Sequence, residues 1–121
     1  MNIVITPSSP IPIYRQLYEQ ICILILKGEL KSGESLPSIR TLARELSVSV
    51  ITVKKAWEAL EASGFIITVS TKGSYVASLT EGDIARLKEE IIKEELSPIV
   101  EKLKAFKASR EDIERIIDVI W

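Results

Sequence analysis

Apolar residues recur every three or four positions between Ile13 and Lys27, which is the spacing of one face of an α-helix. They form two neighbouring stripes rather than one, and this predicts burial on more than one face. Gly28 is the expected end of the helix. Residues 1–9, which are punctuated by proline and serine, are expected to form an extended or loose arm. The stripes consist of Leu17, Ile21, Leu24 and Ile25, and of Tyr14, Tyr18, Cys22 and Leu26.

Two further helical patterns lie on either side of a short break at residues 47–49. Ser38 is the expected N-cap of a helix from Ile39 to Leu46, because a serine hydroxyl accepts a hydrogen bond from the first turn. Ser49 is the expected N-cap of a longer helix that begins at Val50 and ends before Gly64. Two helices joined by so short a break predict a helix-turn-helix.

A β-hairpin is predicted directly after these helices. Residues 65–69 and 74–77 are rich in β-branched and aromatic side chains, and the Thr-Lys-Gly-Ser sequence at 71–74 is typical of a turn. The order of helix, helix-turn-helix and hairpin is that of a winged helix. The expected fold is therefore mainly α with a small β-hairpin wing.

The rest of the chain is predicted to be helical. Sequences that fit the capping box begin at Thr80 and at Ser109. Between them, Pro98 either kinks one long helix or opens a new one. We expect a winged helix-turn-helix over residues 1–78 and a helical tail over residues 79–121.

Composition excludes several catalytic and metal-binding classes of protein. The chain has no histidine and a single cysteine, Cys22. Histidine triads, histidine ligands, and disulfide or zinc frameworks within one chain are therefore excluded. Since we find neither a nucleophile motif nor a phosphate-binding glycine loop, we expect a protein that is not an enzyme and needs no cofactor or metal.

No segment is typical of membrane insertion or export. The longest run of large apolar residues, Ile21 to Leu26, is far shorter than the about 20 residues that span a bilayer. The first residues lack the basic stretch of a signal peptide. The expected location is the cytoplasm, without a membrane partner.

Charge is distributed unevenly along the chain. Residues 1–78 contain eight Lys and Arg against six Asp and Glu, whereas residues 79–121 contain eight against eleven. The first region therefore carries +2 and the tail −3. The asymmetry is modest, and it assigns any polyanionic partner to the first region.

A dense series of short motifs carries a resemblance to a known family. Over residues 12–77 the chain resembles the DNA-binding domain of GntR-type bacterial transcription regulators, and its short tail is similar to that of the YtrA subfamily. The motifs are Pro12-Ile13-Tyr14, Gly28-Glu29-Leu30-Lys31-Ser32-Gly33, Leu36-Pro37-Ser38-Ile39-Arg40, Leu42-Ala43, Thr52-Val53-Lys54-Lys55-Ala56, Leu60-Glu61, Gly64-Phe65-Ile66 and Lys72-Gly73-Ser74-Tyr75-Val76.

The resemblance implies a homodimeric transcription regulator, acting as a repressor on a pseudo-palindromic operator of double-stranded DNA. In the family, the arginine after Leu-Pro-Ser, residues early in the recognition helix and a basic residue at the wing tip contact the operator. We therefore expect a DNA-binding surface that also includes the caps and outward face of these helices. It consists of Ser38, Arg40, Ser49, Ile51, Thr52, Lys54, Lys55, Lys72 and Gly73.

This chain departs from the family at Val50 and Ile51, where polar or basic residues are usual. Hydrogen-bond readout is lost there, while a contact between Ile51 and a thymine methyl group remains open. Those two residues and the weak positive charge also leave open an alternative function, a winged helix used for protein–protein contact.

The cationic positions have structural alternatives as well. Lys54 and Lys55 are compatible with an ordinary solvated helix face. Arg40 is compatible with an ion pair to Glu45 or Glu58. Lys72-Gly73 is compatible with a plain hairpin turn.

The tail has more large apolar residues than a few short helices can enclose, which predicts dimerisation through it. A tail of this length leaves no room for a separate ligand domain, so a small-molecule effector would bind at the dimer interface or between tail and winged helix. The expected interface residues are Ile91, Ile99, Leu103, Phe106, Ile113, Ile117 and Ile120.

Overall fold

The computed structural model describes all residues, 1–121, and divides them into two compact units, 1–81 and 82–121. The first unit contains three helices and a two-stranded antiparallel sheet, and the second consists of helix alone. This is the mainly α architecture with a hairpin that the sequence predicts. The elements are α1 (Ile13–Leu26), α2 (Ile39–Leu46), α3 (Val50–Ala62), β1 (Ile66–Val69), β2 (Gly73–Val76), α4 (Glu81–Ala105) and α5 (Arg110–Ile120).

The core of the first unit lies where α1 meets α3. Leu17 and Ile21 of α1 are completely buried, as are Val53 and Leu60 of α3. Each such side chain stabilises the fold by about 1.5–3 kcal/mol relative to an exposed one. Trp57 on the same face of α3 is only 2% exposed.

Both serine caps of the helix-turn-helix are present. The Ser38 hydroxyl accepts from the amide of Thr41 at 3.1 Å, and the Ser49 hydroxyl accepts from the amide of Thr52 at 3.1 Å. Between the helices Ser47 adopts a left-handed conformation with φ 55°, which ends α2 within a single residue. The helix-turn-helix prediction is thus correct, including both starting points.

The hairpin is present, with β1 beginning one residue later than predicted and β2 one residue earlier. β1 and β2 pair from Ile66 opposite Val76 to Val69 opposite Gly73, so residues 70–72 form the turn. Gly73 has φ 105°, a conformation open to glycine and strained for other residues, and it is the first residue of β2. The sequence placed the turn at 71–74 because propensity does not fix register.

Two glutamines of α1 fix the N-terminal arm. The side chain of Gln20 accepts from the amide of Val4 and donates to its carbonyl, at 2.9 and 2.7 Å. Gln16 makes the same two bonds to Thr6, at 2.8 and 3.0 Å. The arm is therefore extended and bonded to α1 rather than loose.

Cys22 is a buried free thiol in the core. Burial raises its pKa from 9.0 to about 12, although a hydrogen bond with Tyr18 acts in the opposite direction. The reactive thiolate is therefore scarce at neutral pH, in keeping with a structural rather than a redox role.

In the second unit, α4 is a single helix that continues through Pro98. Proline lacks the amide that would bond to the preceding turn, and in a helix interior it costs about 3 kcal/mol. Ser97 beside it donates its hydroxyl to the carbonyl of Lys93 at 2.6 Å. The structure thus selects one long helix and not a new helix at Pro98.

A complete capping box starts α5. The Ser109 hydroxyl accepts from the amide of Asp112, and the Asp112 carboxylate accepts from the amide of Ser109. The pKa of the Asp112 carboxyl is lowered, mainly by its hydrogen bond with the Ser109 backbone. The hydrogen bond with the Ser109 side chain lowers it further. The predicted cap at Ser109 is confirmed.

Replacing Ser49 with alanine is expected to lower the free energy of unfolding by about 1 kcal/mol, since the amide of Thr52 loses its acceptor. Urea unfolding of the full chain measures the change. Ser32→Ala is the matched control, because Ser32 is exposed in a turn and its hydroxyl makes no hydrogen bond. Equal stability of the two variants would contradict the capping role.

Candidate nucleic-acid interface

The outward face of α3 follows from the burial of its inner face. Ile51 lies nearly opposite the core residues and is 78% exposed. Lys54 and Lys55 are exposed on the same side. The first two turns of α3 therefore present one isoleucine and two cations to solvent.

The hydroxyl groups at the start of α3 are occupied by one another. The oxygens of Ser49 and Thr52 lie 2.7 Å apart, and the Ser49 oxygen also receives the amide of Thr52. The corresponding pair at the start of α2, Ser38 and Thr41, has the same arrangement with a 2.8 Å bond between hydroxyls. These serines shape the helix ends, and their predicted contact with DNA has to compete with the cap.

A cleft of about 370 Å³ lies between the start of α2 and the hairpin. Ser38 and Arg40 line it from one side, and Lys72 and Gly73 line it from the other. Residues more than 30 positions apart in the sequence thus meet, and two of them are cations. The α3 residues of the predicted set do not line this cleft.

Arg40 is exposed and forms no ion pair. The pairing with Glu45 or Glu58 that the sequence left open is not formed. The guanidinium group of Arg40 is therefore available to a ligand in or above the cleft.

Lys72 stands at the tip of the wing. The hydroxyl of Tyr75 donates to the carbonyl of Lys72 at 3.1 Å, and Thr71 before it has φ 68°. The backbone of the tip is thus held while the ammonium group remains exposed. The Lys-Gly pair consequently serves the turn and also presents a charge.

Lys55 lies over an aromatic ring. Its ammonium nitrogen is 4.1 Å from the centroid of Tyr14, which projects from α1. The sequence placed Tyr14 on an apolar stripe, and nothing in the helical spacing indicates this partner. Only the crossing of α1 and α3 brings the two residues together.

The second unit contains an apolar groove of about 300 Å³ between the end of α4 and α5. Five of the predicted interface residues line it, whereas Ile91 is half-buried and Phe106 is 74% exposed outside the lining. Leu87, another large apolar residue of α4, is buried. The lining consists of Ile99, Leu103, Ile113, Ile117 and Ile120, together with Leu96, Val100, Ala108, Asp112 and Ile116.

Comparison with known proteins decides the family. Residues 13–76 match the family described as bacterial regulatory proteins, gntR family. The chain belongs to the GntR family. It is a family of regulatory proteins and not of enzymes, and the match covers α1, the helix-turn-helix and the hairpin.

Relatives and solved structures support the YtrA subfamily. The chain is 38% identical over 96 residues to the HTH-type transcriptional repressor YtrA of Bacillus subtilis (strain 168), which covers 79% of this chain and 74% of that protein. The structure of YtrA from Sulfolobus acidocaldarius, a GntR-family transcription factor, has a TM-score of 0.59 and 37% identity. That likeness covers 98% of this chain and 95% of the other.

One related structure contains DNA. AraR(DBD) in complex with operator ORX1 has a TM-score of 0.57 and 26% identity, over 64% of this chain and 99% of that one.

No helix of the present structure is both long and apolar enough to cross a membrane.

The contact of Lys55 with Tyr14 is expected to contribute about 0.5–1 kcal/mol. A double-mutant cycle of Tyr14→Leu and Lys55→Gln, measured by urea unfolding, gives the coupling energy. The control cycle uses Lys54→Gln, since Lys54 is exposed on the same helix and has no ring beside it. Equal coupling in the two cycles would contradict a specific contact.

Proposed function

We propose that this GntR-family protein is a homodimeric repressor that binds a pseudo-palindromic operator of double-stranded DNA. The observation that carries the proposal is the outward face of α3, which is fixed by the core and presents exposed cations. In a helix-turn-helix, this second helix lies in the major groove of DNA. The repressor role is inferred from the name of the Bacillus subtilis relative.

The cleft between the start of α2 and the wing adds further cations. Arg40 and Lys72 both line it, next to Ser38, the exposed cap of α2. Phosphate contacts of this kind position a protein on the duplex, and base contacts specify the sequence. We assign phosphate binding to Lys72 and Lys55, and base contacts to Arg40 and the first turns of α3.

The dimer is inferred from the second unit. The groove between α4 and α5 is apolar, and exposed residues such as Leu96 and Ile99 lie beside Pro98. A helix that continues through an interior proline needs packing to offset its cost, and this region has little within the chain. A second copy packed on the groove would bury these residues, and a two-fold interface is the commonest arrangement.

A dimer also matches the requirements of an operator. Two recognition helices about 34 Å apart meet successive major grooves on one face of DNA. The tail carries the net negative charge, so it is the region least suited to phosphate. Because a regulator of this kind works beside the chromosome, the proposal places the protein in the cytoplasm.

DNA binding is tested with duplexes that the full-length protein enriches from a random library. Arg40→Ala and Lys54→Ala are each expected to weaken specific binding by about 1–3 kcal/mol. Lys72→Ala is expected to weaken binding to all DNA sequences alike. It should also reduce the slope of log affinity against log salt concentration by about one unit, as the loss of one phosphate contact does. Fluorescence anisotropy at several salt concentrations measures both effects.

Lys27→Ala serves as the control, since Lys27 is an exposed lysine at the end of α1 with no ion pair. Its binding should equal that of the wild type. If no duplex is enriched, or if all three variants bind normally, the DNA-binding proposal is wrong and the protein–protein alternative gains support.

Ile117→Glu is expected to turn the dimer into a monomer, because it places a charge in the apolar groove. Val119→Glu is the matched control on the same helix, since Val119 is 76% exposed and does not line the groove. Sedimentation equilibrium at micromolar concentration distinguishes the two states. A wild-type protein that sediments as a monomer would refute the dimer.

A further inference from the structure

The recognition helix exposes apolar side chains that the fold does not need. Ile51 is 78% exposed and Val50 is 40% exposed. Exposed β-branched residues contribute little burial, and they are weaker helix formers than alanine. Stability therefore does not explain why isoleucine and valine stand at these positions, and such local exceptions are expected at functional sites.

The hydroxyl groups of the same turn are partly engaged with one another. The hydroxyls of Ser49 and Thr52 bond to each other at 2.7 Å, and Ser49 also accepts the amide of Thr52. The large side chains that this turn exposes beside these hydroxyls are those of Ile51 and Val50. Apolar contact is therefore the interaction that they offer to an incoming ligand.

The neighbouring charges indicate what kind of molecule meets this apolar surface. Lys54 lies one turn after Ile51 on the exposed side of α3, and Lys55 follows it. Both are cations, so the surroundings of the apolar surface suit a polyanion better than the apolar surface of another protein. A base edge in the major groove combines nearby phosphates with places where an apolar contact is possible.

We propose that Ile51, supported by Val50, recognises the C5-methyl group of thymine in the operator. Thymine is the base that presents a methyl group in the major groove, which distinguishes it from cytosine and from both purines. The inference rests on the proposed function, and it adds the chemical class of base that the start of α3 selects. It predicts thymine at one or two positions in each half-site.

The test uses a duplex that full-length protein enriches from a random library. The duplex is resynthesised with deoxyuridine in place of thymidine, one position at a time, which removes one methyl group and keeps the base pairing. At the contacted positions the wild type is expected to bind about fourfold more weakly, the factor that corresponds to about 0.8 kcal/mol for one buried carbon group.

Two variants assign the effect to its residue. Ile51→Ala is expected to bind the thymine and uracil duplexes with equal affinity at the contacted position, because the partner of the methyl group is absent. Ile23→Ala is the matched control, since Ile23 is 48% exposed on α1 within the same unit; it should keep the wild-type preference. Ile51 is exposed, so both variants should melt at nearly the wild-type temperature.

The outcomes separate this inference from the proposed function. If no duplex is enriched, specific DNA binding is wrong and the inference fails with it. If duplexes are enriched and uracil has no effect at any thymine, the proposed function stands and the inference is overturned. A uracil effect that persists in Ile51→Ala also overturns it, because the methyl group then acts through DNA shape.

Discussion

The packing of α1 against α3 is the contact on which the rest of the first unit depends. Leu17, Ile21, Val53 and Leu60 meet there without solvent exposure. Because a helix repeats every 3.6 residues, burying one side of α3 fixes which residues point outward. The same crossing places Tyr14 under Lys55 and orients the candidate recognition face. A loss of this packing would therefore remove the candidate site together with the stability of the unit.

The two units differ in how much of their apolar surface is buried within the chain. The first unit has an enclosed core of large apolar side chains, and its polar groups are satisfied by caps, by the two glutamines that bond the arm, and by the hairpin. The second unit leaves an apolar groove and several isoleucines exposed. This contrast is the physical basis of the proposal that the first unit binds DNA and the second unit self-associates.

The candidate interface combines local and distant contributions. Its hydroxyl groups belong to helix caps, where they determine the start of α2 and α3. Its charges come from separate segments, with Arg40 from α2 and Lys72 from the wing lining one cleft. The remaining exposed surface at the start of α3 is apolar, at Val50 and Ile51. Caps, charges and exposed apolar side chains are thus contributed by different residues of the first unit.

Local sequence was enough to predict the helices, both serine caps of the helix-turn-helix and the hairpin, because caps, turn residues and apolar spacing act within a few positions. The motifs over residues 12–77 were likewise sufficient to indicate the family. Only the tertiary structure shows that α4 continues through Pro98, that β2 begins at Gly73, and that Arg40 and Lys72 line one cleft. It also decided that Tyr14 lies beneath Lys55, a contact between two helices that no local pattern encodes. The reason is that helix continuation, strand register and side-chain contacts between elements depend on packing over distances in sequence that local propensity does not reach.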